Sequence, residues 1–425
     1  MSTAADQVKA LPRNIRGSPM APKDVGVALT MLGLCMFTAT IVTARIPLGE
    51  IGIVIALIGM FLGRAPIFVS SATWFYVAFL LWSCLGSFYA LEPEVARADL
   101  FERLKFAVIF VVVVNALRTD RQLRFYLLFL LTCFMVYPAR GTIQNYFFTN
   151  YNYHGRVVWN SNYSNPNDLG ALCGLAAGVA LTFSYSVYYK LSRRVIAAMC
   201  ALILVAIMLL TQSRGVAIGL VAGIGVGFVM AMFRRSRNIV IGVVLVMALS
   251  LAVPTKVWDR LSGISKLTST STIKEADKEG SAAERYEIQK TAWRIATDNP
   301  VLGVGLGNYP IANKIYSPRL GARDTHDTYL NLWAEAGLPG LLLWSAFVVS
   351  VLRSFHKSNR SPSKAGHGLQ LVWIERAVIG FLVSGIFGSY SAQTMPYLLL
   401  GVLSCSAVLT QMRSAQELPA ATGSP

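Results

Sequence analysis

A series of uncharged apolar runs, each as long as a bilayer is thick, limits what this chain can fold into. Residues 25–44, 65–91, 169–189, 195–213, 215–233 and 238–255 contain no Asp, Glu, Lys or Arg. Residues 377–412 form a further uncharged run, long enough for two crossings and interrupted near 389–396. A helix needs roughly 20 such residues to cross the hydrocarbon core. The backbone must also satisfy its own hydrogen bonds there, so helices are the expected form. Weaker runs are 46–63, holding Glu50, a span ending at Leu117, 125–139, and 328–352, holding Glu335. Together these predict an all-α polytopic membrane protein of about twelve transmembrane helices. Only 14% of the residues are charged, well below the share in soluble domains.

The net charge of +17 could suggest nucleic acid, but its placement argues for a membrane instead. With twelve spans and an inside N-terminus, the short inside segments hold twenty Lys and Arg and the short outside segments seven. That asymmetry follows the positive-inside rule and puts both termini in the cytoplasm. The expected divisions are a cytoplasmic tail (1–24), nine spans (25–254), a large periplasmic loop with short helices (255–327), three spans (328–412) and a cytoplasmic tail (413–425). All six cysteines fall within apolar runs, where small buried hydrophobes are the expected reading. No C-x-x-C spacing suggests a metal or redox site. No internal repeat supports an inverted-repeat transporter.

Two outside segments carry the polar chemistry. Residues 140–168 are dense in Asn, Tyr and Trp, and include His154. Tyr153, Asn162 and Asn167 are candidate glycan contacts, since rings cover apolar sugar faces and amides meet hydroxyls. An interfacial aromatic belt accounts for the same composition. In the large loop, Ser281 and Glu284 have the spacing of a capping box and predict a helix running to about Thr297. Asn299-Pro300 ends it, and the glycine-rich segment 303–310 follows as a turn. No strand precedes those glycines and no helix start is signalled after them, so a nucleotide-binding reading is poor.

His326 lies at the end of this loop, in the segment DTHDTYLNLWAEAGLPG. That segment resembles the signature of the O-antigen ligase and polymerase superfamily, in which a loop His precedes a span of the form H-N-x-x-L-x-x-x-x-E-x-G-x-x-G. His326, Leu330, Glu335, Gly337 and Gly340 match, whereas Asp327 stands where the family usually has Asn. TQSRG at 211–215, with Ser213 and Arg214, resembles the family's S-R-G. SAAERYEIQKTAW at 281–293 resembles its S-x-x-x-R helix, NPVLGVGLGNY at 299–309 its P-x-x-G-x-G turn, and SNPNDLGAL at 164–172 the start of a family span.

The resemblance implies a glycosyltransferase at the outer face of the bacterial inner membrane. Its donor would be a glycan on undecaprenyl pyrophosphate, and its acceptor a hydroxyl of lipid A–core. Such a transfer needs a base, which neutral His326 suits. It also needs cations on the departing pyrophosphate, which Arg214 and Arg285 suit. Ordinary readings stand beside these roles. Arg214 also fits an interfacial cation, and Arg285 a solvated helix face, although a cation in a first helical turn opposes the helix dipole. Glu335 is a supporting candidate because ionisable groups within spans are costly. A structural pair with another helix is its alternative. No cofactor or metal is implied, and a single displacement would invert the anomeric centre. An O-antigen (Wzy-type) polymerase shares this chemistry. A lipid-linked sugar flippase or transporter is the competing class.

Overall fold

The computed structural model describes residues 25–43, 46–63, 67–232, 281–359 and 369–417. The expected span at 238–255, the first part of the large loop and the N-terminal tail lie outside the described residues. The described chain is all α-helical. Seven helices are long and apolar enough to cross a membrane. They are α1 (Val25–Thr43), α5–α6 (Asp120–Phe147), α7 (Pro166–Ser184), α8 (Leu191–Leu210), α9–α10 (Arg214–Ala231), α13 (Thr328–Asn359) and α15, whose apolar stretch is Thr394–Gln411.

The remaining expected spans are shorter or more polar helices. Helices α2 (Gly49–Leu62) and α3 (Ser71–Ser87) are apolar but short. Helix α4 (Pro93–Ala116) carries six charged residues between Glu94 and Lys105. Helix α14 (Val372–Ser384) ends in a 3-10 turn, Gly385–Phe387. The loop contributes α11 (Ser281–Asp298) and α12 (Tyr309–Tyr316).

Small residues set the packing, because lipid tails offer helices no hydrophobic incentive to associate. Helices α1 and α2 lie so close that a Cβ on Gly33 would collide with the backbone of Gly52 and Ala56. Helix α7 is rich in Gly and Ala and sits at the centre. It is 89% buried along its apolar window, against 28% for α8, and packs on both α8 and α14. An aromatic cluster joins α3, α4, α13 and α15. Tyr76 lies 4.8 Å from Phe347, and Phe106 lies 4.8 Å from Tyr397.

Helices α5 and α13 deviate from regular geometry for identifiable reasons. Pro138 lacks an N–H and crowds the preceding turn, and α5 passes it through one π turn, Met135–Ala139. Helix α13 breaks at Gly337, with φ 69° and ψ 175°. The break leaves backbone groups without helical partners, and each finds one elsewhere, as buried groups must. The carbonyls of Ala334, Glu335 and Ala336 accept from Val304 N (2.9 Å), Gly305 N (2.9 Å) and Trp82 Nε1 (3.0 Å). Leu338 N donates to Pro300 O at 2.8 Å. A Cβ at position 337 would strike the Val301 carbonyl. The glycine-rich turn is therefore stitched along α13.

Candidate active site

The turn's polar groups serve this stitching. Glu335 is 4% exposed, and its Oε1 accepts from Tyr309 N at 3.2 Å. It thus caps α12, a helix absent from the sequence reading although Pro310 in its first turn is a start signal. The phenol of Tyr309 donates to Ile288 O (3.3 Å), which ties α12 to α11.

This frame carries α11 and His326 to a cavity of about 370 Å³. From the loop, Glu284, Arg285, Ile288, Arg323 and His326 line it. From the other wall come Tyr153, Arg156 and the segment 164–167. The two walls lie more than a hundred residues apart in sequence. Arg323 pairs with Glu284 at 3.2 Å across the mouth.

His326 is held in the left-handed region, φ 53°, which is uncommon for any residue but glycine. Its neighbours are fixed on both sides. Thr325 is fully buried, and its hydroxyl lies 2.7 Å from that of Ser389 and donates to Asp327 O at 3.0 Å. The Oδ1 of Asp327 accepts from Tyr329 N (2.9 Å) and Leu330 N (3.0 Å), forming the N-cap of α13. An asparagine would present the same acceptor oxygen, so the departure at 327 leaves the cap intact. Burial lowers the pKa of His326, with a further contribution from the Arg285 charge, while Asp324 pulls it back up. The imidazole is thus biased to its neutral form. Burial pushes the Asp327 carboxyl up, and its two backbone donors oppose that.

The opposite wall is built on a tight turn. Tyr153 and Arg156 exchange backbone hydrogen bonds of 2.9 and 3.0 Å, with His154 and Gly155 both at positive φ between them. This aims Arg156 inward, where it is 7% exposed. Its Nε donates to Thr211 O (2.7 Å) and its Nη2 to Asn167 Oδ1 (2.8 Å). Asn167 sits in the first turn of α7, set by Pro166 and the Asn165 cap. Tyr390 donates to Asn167 O at 3.3 Å, its phenol pushed well up by burial.

The structure therefore brings His326, Arg285, Tyr153 and Asn167 into one cavity. Arg214 is not among the lining residues. It begins α9 immediately after Ser213, whose side chain caps that helix by accepting from Val216 N. The same turn contributes the Thr211 carbonyl that receives Arg156. Asn162 is exposed and outside the cavity. Arg156 and Arg323 were missed by sequence reasoning. Arg156 stood only as one of seven outside cations, and its position within the Tyr/Asn segment was the available signal. Among the described residues, no group of three or more His, Cys, Asp or Glu could hold a metal ion.

Residues 198–345 match the family model Wzy_C, described as O-antigen ligase. This stretch is similar to the O-antigen ligase family. It contains Arg214, Arg285, His326 and Glu335. The Tyr153–Asn167 wall lies ahead of the matched stretch, so the cavity joins that stretch to the N-terminal half of the chain. No curated protein matches the chain.

Proposed function

We propose that this chain transfers a glycan from undecaprenyl pyrophosphate to a hydroxyl of lipid A–core, at the periplasmic side of the inner membrane. The observation that carries this reading is the convergence of His326 and Arg285, both within the stretch similar to the O-antigen ligase family, on one cavity. Neutral His326 accepts the acceptor hydroxyl's proton as its oxygen bonds to the anomeric carbon. The bond from that carbon to the pyrophosphate oxygen breaks, and its electron pair leaves with the pyrophosphate. Arg285 meets the charge that develops there; Arg214, which begins α9 outside the cavity lining, is the candidate for the second phosphate beyond the cavity. A single displacement inverts the anomeric configuration. The two arginines supply the positive charge that a metal provides elsewhere, so the reaction is metal-independent.

On this reading the chain has twelve spans with both termini cytoplasmic, and the cavity lies at the outer leaflet, where a lipid-linked donor and a lipid-borne acceptor both reach it. Tyr153 stacks on sugar, and Asn167, held by Arg156, supports that wall. The same chemistry serves a polymerase whose acceptor is a growing glycan. Lipopolysaccharide from a deletion strain tests the acceptor. Full-length polymer left on the carrier lipid supports the ligase, and a core bearing a single repeat unit would replace it with the polymerase. His326→Ala should reproduce the deletion. Normal lipopolysaccharide from that variant would overturn the mechanism.

A further inference from the structure

A second cavity, of about 440 Å³, lies at the far end of α13 and is lined by Leu352, Arg353, His356, Lys357 and Glu375. Arg353 lies 16 residues beyond the break at Gly337, on the order of 24 Å along the unbroken part of α13 at 1.5 Å per residue. That is most of the roughly 30 Å hydrocarbon core, so the two cavities lie toward opposite ends of α13.

The chemistry of this cavity is mixed in sign. Arg353 and Lys357 are exposed one turn apart on the same face of α13, with His356 between them. Glu375, in the first turn of α14, is only 5% exposed. Its Oε1 lies 3.5 Å from Nδ1 of the half-exposed His356. The neighbouring Arg376 is engaged elsewhere, donating to the sulfur of Met230 at 3.3 Å. Excess cations at a cytoplasmic interface follow from the positive-inside rule alone. A buried carboxylate opening into the same cavity does not, because it repels an anionic headgroup while adjacent cations attract one.

We propose that this cavity binds a phosphate joined to an ammonium, the headgroup of an aminophospholipid. Arg353 and Lys357 hold the phosphate, and the ammonium replaces His356 as the partner of Glu375. Leu352 provides the apolar edge toward the acyl chains. This site is independent of the glycan chemistry proposed above.

Native mass spectrometry of the full chain, with phosphatidylethanolamine and phosphatidylglycerol competing at equal concentration, tests the assignment. Wild type should retain phosphatidylethanolamine several-fold over phosphatidylglycerol. Arg353→Gln with Lys357→Gln should abolish retention of both lipids. Glu375→Gln should remove the preference and leave phosphatidylglycerol bound. Equal retention by wild type, or an unchanged preference in Glu375→Gln, would overturn the proposal. If Glu375→Gln does not fold, the double variant on the exposed face decides, and its undiminished retention refutes the site. Soluble phosphoethanolamine raising the unfolding midpoint as much as the lipid would overturn a lipid source in favour of a free metabolite.

Discussion

Replacing Arg285 by glutamine removes a fixed positive charge from the cavity that His326 lines. A sphere of about 370 Å³ is about 9 Å across. Unit charges that far apart, at an effective dielectric of about 20, interact by roughly 2 kcal/mol, or about 1.3 pH units. Solvent and salt in an open cavity reduce this to about 0.5–1 unit. The sign follows from the charge. Arg285 disfavours the imidazolium and lowers the pKa of His326, so wild type keeps its base neutral to lower pH. Without Arg285 the imidazolium persists to higher pH, and the acid limb of kcat/KM moves up by about 0.5–1 unit. Asp324 acts in the opposite direction, so Asp324→Asn should move the limb down. The assay is glycan transfer from purified lipid-linked donor, with rates taken across pH at limiting acceptor. Loss of pyrophosphate binding in the Arg285 variant lowers the plateau without displacing the limb. An acid limb that stays fixed in both variants, or moves the wrong way in either, refutes His326 as the titrating base.

Asp327→Asn should keep near wild-type stability and activity, because the amide oxygen accepts the same two backbone donors. Asp327→Ala should lose about 1 kcal/mol of cap, read as a lower unfolding midpoint in detergent. Gly337→Ala should be more damaging, by upward of roughly 2 kcal/mol, since it combines a left-handed backbone with a collision at the Val301 carbonyl. A wild-type midpoint for that variant would contradict the kink. Arg156→Lys keeps the charge but cannot reproduce the paired bonds to Thr211 O and Asn167 Oδ1, so it should cost about 1–3 kcal/mol. Transfer measured in EDTA should be undiminished, and its loss would put a metal in the reaction.

The parts of this protein that were legible in its sequence are those dictated locally. Uncharged runs marked the long helices, and the serine–glutamate spacing before Asn299-Pro300 marked α11 within a residue or two of its observed limits. His326 and Arg285, singled out because base and phosphate-binding chemistry need those residue types, line one cavity. What the sequence did not show depends on contacts distant in the chain. Arg156 is buried only because Thr211 O lies 55 residues away in sequence and within 2.7 Å in space. The glycine segment was legible as a turn, but not its role, because its hydrogen-bond partners belong to α13. Glu335, read as support for chemistry, has a carboxylate occupied by backbone N–H of the adjoining turn. The kink at Gly337 was hidden because the glycine matched a family pattern without revealing that another backbone crosses there.

The cavity's construction from two distant stretches has a consequence for biosynthesis. Asn167 leaves the ribosome 159 residues before His326, roughly 8–30 s earlier at about 5–20 residues per second. The turn that positions Arg156 is complete once α8 has been inserted. The base, however, cannot be set until α13 has entered the membrane and its kink has gathered the glycine turn. Thr325, next to His326, also waits for Ser389, which lies beyond α14. Throughout that interval the nascent chain holds only the Tyr153–Asn167 wall, without the loop arginines or the histidine that face it in the finished cavity. The site therefore closes only with the last helices of the chain, and no part of it is complete on a partly made protein.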